Sequence, residues 1–147
     1  MLLETERLVL RLPTAADEDM RHHLEQWQRN GIGKFAVVRR ADGAVLGRVG
    51  IQLLDPVTWD TVDGAAGRPE LGWTLRPEHW GHGYATEAAL AVRDWFVGEP
   101  LVSLIQPSNE RSQAVARRLG ASPGPVVRLA DGPHVIWEHP SVKIRAR

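Results

Sequence analysis

Hydrophobic and polar positions first alternate over Arg7 to Leu12, with Leu8, Leu10 and Leu12 on one side and Arg7, Val9 and Arg11 on the other. Such alternation predicts a strand with one buried face, and Pro13 ends it. Thr14 followed by Asp17 resembles a capping box, after which Met20, Leu24 and Trp27 share one face of a helix that Asn30-Gly31 stops. His22 and His23 fall within this helix and read as solvated surface. Lys34 to Arg39 and Val45 to Leu54 are rich in β-branched residues and flank Ala41-Asp42-Gly43, the pattern of an antiparallel hairpin. Asp55 to Pro69, with its prolines and glycines, reads as a loop.

The pattern then changes. A short apolar run, Leu71 to Leu75, breaks at Arg76 and Pro77, passes through Gly81 and Gly83, and becomes a helix whose buried face is Ala85, Ala88, Ala89, Val92 and Phe96. Leu101 to Gln106 is a second apolar run closed by Pro107. Ser108 or Asn109 can cap the next helix, with Val115, Ala116 and Leu119 inward and Gly120 as its left-handed stop. Strand, helix, strand, helix implies adjacent parallel strands joined by a right-handed crossover. Val126 to Leu129 and His134 to Glu138 predict a final hairpin, and Pro140 to Arg147 a frayed tail. The expected fold class is α/β, one domain over residues 1–147, built on a mixed sheet flanked by helices.

Composition narrows the function classes. At 147 residues and 43% hydrophobic content the chain can bury one substantial core. Eighteen basic and eighteen acidic side chains leave no net field to gather nucleic acid or anionic lipid, so anion binding must be local. No cysteine is present, which removes disulfides and thiolate chemistry. With neither a signal-peptide pattern nor an apolar run of spanning length, the expected location is the cytoplasm and no membrane partner is expected.

Strand, glycine turn and helix in that order favour one ligand chemistry. A helix start leaves backbone N–H groups unpaired and concentrates positive potential, so an anion finds donors already aimed at it. Glycines let phosphate oxygens reach main chain that a Cβ would shield. A diphosphate-bearing cofactor is the guest this order suits, the alternative being a plain turn. The P-loop motif is absent, and Thr86 stands where a dinucleotide fingerprint needs its third glycine.

Trp80-Gly81-His82-Gly83-Tyr84-Ala85-Thr86-Glu87-Ala88 resembles the acetyl-CoA loop of the GCN5-related N-acetyltransferase (GNAT) family, in the subgroup that acetylates ribosomal-protein N-termini and small amines. The family's Gln/Arg-x-x-Gly-x-Gly/Ala falls on Trp80, Gly83 and Ala85, with Trp80 replacing the usual first residue. Asn109-Glu110-Arg111-Ser112 with Ala116-Arg117-Arg118-Leu119-Gly120 resembles its Asn-x-x-Ser and Leu-Gly helix, and Leu3 to Arg11 resembles the subgroup's opening.

The resemblance implies two splayed parallel strands, Leu71 to Leu75 and Leu101 to Gln106, with the pantetheine arm of acetyl-CoA in the gap. Main-chain groups of Trp73, Thr74 and Leu75 would pair with that arm, Gly81, His82, Gly83, Tyr84, Ala85 and Thr86 would hold the pyrophosphate, and Asn109 would bond the arm or cap its helix. Arg76, His82, Arg111, Arg117 and Arg118 are candidates for phosphate contact or plain surface. The chemistry implied is transfer to a primary amine, on a protein N-terminus or a small molecule, with no metal required. Such an amine must be neutral to attack, and Glu70 is the leading candidate base, with His134 and His79 as alternatives and a solvent-facing strand end as the rival view.

The family's Tyr, seven positions after the Asn, is Ala116 here, which leaves Ser112 as the donor to the departing thiolate. Tyr84 is expected to pack within its loop, and Glu87 to serve as a helix-start charge. Only one helix fits between Pro13 and Lys34, where the family has two. The acceptor groove is then either more open or completed by a second subunit in a homodimer. A non-catalytic acyl-CoA sensor and an unrelated nucleotide-binding α/β protein are the competing readings.

Overall fold

Each strand expected from alternation forms, and their pairing builds one eight-stranded sheet in the order β1-β2-β3-β4-β5-β6-β8-β7. The computed structural model describes residues 1–17, 19–62, 67–98 and 100–140. Its strands are β1 (Leu2–Glu4), β2 (Leu8–Arg11), β3 (Lys34–Arg39), β4 (Val45–Leu54), β5 (Arg68–Leu75), β6 (Val102–Ile105), β7 (Ser122–Leu129) and β8 (Gly132–Glu138). Among the described residues the helices are α1 (Arg21–Asn30), α2 (Tyr84–Trp95) and α3 (Glu110–Arg118), with a 3-10 turn at Pro77–His79. Neighbouring strands are antiparallel except β5 and β6.

The core lies where the apolar stripe of α2 meets one face of β2 to β5. Ala88, Ala89 and Val92 pack there with Leu8, Leu10, Phe35, Val49, Ile51 and Leu71, all fully buried. Small residues on α2 let the helix approach the sheet closely, while each large aliphatic side chain buried contributes ~1.5–3 kcal/mol. Trp27 of α1 meets Phe35 edge-on at 4.9 Å and donates its indole N–H to the Lys34 carbonyl at 2.7 Å, which fastens the short helix to β3. A second cluster, Ile105, Ala116, Ala121 and Trp137, sits under α3, and Trp73 packs against both clusters. Buried Arg93 of α2 donates to the Leu119 carbonyl at the end of α3, tying the two helices at their C-terminal ends.

Four boundaries differ from expectation. An extra edge strand, β1, pairs with β2. Helix α1 begins at Arg21, not after Thr14, because Asp17 is captured by Arg11 at 2.8 Å while accepting the Thr14 N–H at 2.6 Å; the capping-box residues close a turn against β2 instead. The Arg11 guanidinium, as the leading cause, holds the Asp17 carboxyl down at about 2. Strand β5 starts at Arg68 and includes Pro69, which costs the β4 ladder nothing because Pro69 turns its missing N–H to the other side. Strand β7 runs through Pro123 and Pro125 with a register shift before Val126, as an edge strand permits. The expected tail lies, beyond Pro140, outside the described residues.

Candidate active site

Between β5 and β6 the sheet forks. Arg76 N–H donates to the Leu46 carbonyl at 2.9 Å, which sets the phase of the antiparallel ladder. Bonded and non-bonded pairs alternate along such a ladder, so Glu70, Gly72 and Thr74 exchange hydrogen bonds with β4 while Leu71, Trp73 and Leu75 turn theirs toward β6. Yet β6 registers with β5 only at Glu70↔Val102. Side chains satisfy part of the opened edge. Ser103 Oγ donates to the Leu71 carbonyl at 2.5 Å, Glu70 Oε2 accepts the Leu104 N–H at 2.7 Å, and the Trp80 indole donates to the Leu75 carbonyl at 2.9 Å. The main chain of Trp73 is left facing the gap. Thr74, whose main chain belongs to the β4 ladder, lines the gap with its side chain.

The gap widens into a cleft of about 1070 Å³ that runs to the start of α2. Gly81 and Gly83 there adopt φ of +84° and +79°, the left-handed conformation that favours glycine, and Gly83 is the cap residue of α2. Ala85 and Thr86 line the cleft in the first turn, and the buried Thr86 hydroxyl has no hydrogen-bond partner among the described residues. Glu87 accepts from Thr5 Oγ1 at 2.5 Å, Arg7 N at 2.9 Å and Arg7 Nε at 2.7 Å. Burial pushes its carboxyl up, but these bonds outweigh that and hold it below the usual range. Glu87 is therefore a helix-start charge that also clamps the β1–β2 turn to α2. Arg7 covers the Tyr84 ring at 4.4 Å, so Tyr84 packs into the core and His82 lies against it at 5.5 Å.

Helix α3 forms the opposite wall. Asn109 Oδ1 accepts the Ser112 N–H at 3.1 Å and caps the helix, and the Trp73 indole donates to Ser112 Oγ at 3.3 Å. Arg111 lies over the Trp80 ring at 3.7 Å, joining the two walls at the cleft mouth. Of the other cationic candidates, Arg118 lines the cleft, Arg76 lines a separate groove of about 690 Å³, and Arg117 rests on Trp137 at 5.5 Å. His79 is in the cleft wall, whereas His134 stays on the β7–β8 hairpin beside Gly132 and Asp131.

Glu70 is buried at 7% exposure, with Oε1 accepting from Gln52 Nε2 at 2.6 Å, so it does not face solvent. Near it runs Lys34, which sequence reasoning missed. Its buried side chain crosses the sheet above Gly72, where a Cβ would collide with Nζ. Burial pushes the ammonium down to about 8, opposed by Glu70 and reinforced by Arg48. Glycines inside strands, Gly50 and Gly72 in register with Lys34, were the available signal. His23 corrects the solvated-surface expectation: it is half-buried, and burial, then the charges of Arg48, Lys34 and His22, lower it to about 4. His22 is exposed as expected. Arg7 is the other residue missed, since nothing in its sequence setting announces that it reaches α2.

A mixed sheet forked beside a left-handed glycine turn and a helix start defines an α/β fold of the acetyltransferase type. The chain belongs to the acetyltransferase (GNAT) domain family, whose sequence profile matches residues 4–122. It is similar to the crystal structure of an acetyltransferase from Agrobacterium tumefaciens, with a TM-score of 0.78 and 29% identity over 96% of this chain and 95% of that one. A GNAT-family acetyltransferase from Bordetella pertussis shares the fold at TM-score 0.76 and 23% identity, over 95% and 99% of the two chains. So does the ribosomal-protein-S5-alanine acetyltransferase of Vibrio fischeri, at 0.70 and 18%, over 94% and 95%. The uncharacterized protein YkkB of Bacillus subtilis (strain 168) is 34% identical over 76 residues, 49% of this chain and only 44% of that protein's length.

Proposed function

We propose that this chain is an acetyl-CoA-dependent N-acetyltransferase that acetylates a primary amine by direct attack in a ternary complex. The observation that carries the reading is the fork, whose unpaired Trp73 main chain leads along one cleft to the left-handed turn at Gly81 and Gly83. The residues present fit the ligand: its amide groups would meet the Trp73 main chain as a missing strand would, and its phosphate oxygens would meet the first turn of α2, where among the described residues the Thr86 hydroxyl lacks a partner. Arg7, Arg111 and Arg118 add positive charge around the same cleft. When bound, acetyl-CoA supplies an acetyl group activated as a thioester.

Each Glu70 oxygen accepts one hydrogen bond and keeps a lone pair, so the carboxylate can take the amine's proton, directly or through water. Ser112 offers a hydroxyl from the opposite wall, and Asn109 orients that turn of α3. The acceptor is a protein N-terminus or a small amine; a ribosomal-protein acetyltransferase among the structural relatives supports the first. Action in the cytoplasm belongs to the same reading; among the described residues no helix is long and apolar enough to cross a membrane. A sensor that binds acyl-CoA without turnover is the second reading, favoured by the fully buried Ala116 at the position where the family resemblance implies a Tyr.

Thermal melting separates these. At a hundred times its dissociation constant a ligand stabilises the fold by about 2.7 kcal/mol, so acetyl-CoA should raise the melting temperature while ATP and NAD do not. Free thiol should then appear when acetyl-CoA is incubated with an amine panel. Binding without thiol release on any amine favours the sensor.

A further inference from the structure

We infer that Trp73 is a positioning residue that aims the Ser112 hydroxyl at the sulfur leaving the acetyl group; this rests on the transferase reading above. Trp73 stands well along the opened edge of β5 and packs against the cluster of Ile105, Ala116, Ala121 and Trp137 under α3. Ser112 and Ala116 lie four apart on α3 and so share a face. Trp73 and Ser112 thus meet in the cleft, one from the sheet and one from the helix.

Indole nitrogen is a donor only, so in the 3.3 Å contact Ser112 Oγ must accept. A helical serine otherwise tends to turn its hydroxyl back to a carbonyl in the preceding turn. Here an Oγ lone pair is directed to Trp73, and among the described residues the hydroxyl donates to no protein acceptor. Its hydrogen is left for the cleft that both residues line. In the transfer the amine nitrogen bonds to the carbonyl carbon, and the C–S bond breaks with its electron pair left on sulfur. The surplus amine proton is the one that finally makes the thiol. Ser112 donates a hydrogen bond to that sulfur and keeps its own proton.

The test compares CoA with desulfo-CoA, which lacks only the sulfur, by calorimetry at about pH 9, where the thiol (near ~8.5) is largely thiolate. Wild type should prefer CoA by about tenfold, equivalent to ~1.4 kcal/mol. Read as the ratio of the two affinities within each variant, Ser112→Ala should erase the preference, Trp73→Phe should cut it to about a third of its size, and the double variant should match Ser112→Ala alone. A preference untouched by Trp73→Phe, or single effects that multiply in the double variant, overturns the inference while leaving the transferase reading intact. Failure of wild type to bind either compound overturns both. Should Trp73→Phe not fold, the Trp73 indole N–H resonance decides: CoA but not desulfo-CoA should shift it in wild type and neither in Ser112→Ala, and equal shifts from both ligands in wild type overturn the inference.

Discussion

Along its β4 edge strand β5 makes eight consecutive registered pairs, from Gly47↔Leu75 to Leu54↔Arg68, whereas along its β6 edge it makes one, Glu70↔Val102. The same eight residues serve both edges. On the closed edge main chain meets main chain. On the open edge the Glu70 carboxylate, the Ser103 hydroxyl and the Trp80 indole stand in for a neighbour, and the Trp73 main chain faces the gap. A buried backbone group without a partner costs ~1–3 kcal/mol, so a sheet can hold itself open only where side chains or a ligand take the strand's place. The fork is thus a stabilised feature of the fold, and it can be tested one support at a time.

The largest effect is expected at the far end of the open edge. Gly83→Glu places a side chain at a left-handed φ, with strain of ~1–3 kcal/mol, and adds a negative charge where phosphate should sit. Acetyl-CoA affinity measured by calorimetry should fall at least about a thousandfold, ~4 kcal/mol; unaltered affinity counts against the whole cleft assignment. Next comes Glu70→Gln, which preserves shape but not basicity. Steady-state turnover should drop by about a hundredfold or more, the range for a positioned base, with acetyl-CoA affinity kept. A wild-type rate leaves Glu70 only its structural part at the apex of the fork.

Ser103→Ala removes the hydroxyl between the Leu71 carbonyl and His139, 2.7 Å away, and should cost ~1–3 kcal/mol in chemical denaturation. Its counterpart Thr74→Ala, an exposed side chain whose main chain stays in the closed ladder, should change stability by less than about 0.5 kcal/mol. Equal losses would erase the distinction between the two edges. Asn109→Ala should cost ~1 kcal/mol through the lost cap on α3.

A pH-dependent effect concerns Lys34, beside the fork. The unfolded chain keeps this proton up to 10.5, whereas the native chain releases it from about 8. The unfolded state binds more protons between those values, so Lys34 makes stability rise with pH through that window. Lys34→Met should raise the melting temperature at neutral pH and flatten the rise; a steeper pH response in the variant would reverse the assignment.

Much of this was legible locally. The ends of β3 and β4 follow from β-branched runs around Asp42-Gly43, α2 from the spacing of Ala88, Ala89 and Val92, and the cap of α3 from Asn109. What escaped depends on residues far apart in the chain. Nothing near Glu70 says that its carboxylate will meet the Leu104 N–H, because that follows from sheet order. Asp17 had the spacing of a helix cap and lost that role to an ion pair with Arg11. Lys34 reaches Gly72 only because β3, β4 and β5 are neighbours. The glycine turn and Asn109 were found where local rules and ligand chemistry coincide; Trp73, Arg7 and Lys34 act through side chains whose destinations only the assembled sheet reveals.

The two walls of the cleft are joined very differently at their ends. Arg93 is bolted to Leu119 in the interior, a hinge that holds its spacing, while at the mouth Arg111 merely rests on a Trp80 ring that is 40% exposed. A surface contact of that kind is worth ~0.5–1 kcal/mol, comparable to thermal energy. On the acetyltransferase reading proposed above, a long, flexible carrier would enter sideways past this unlatched clasp.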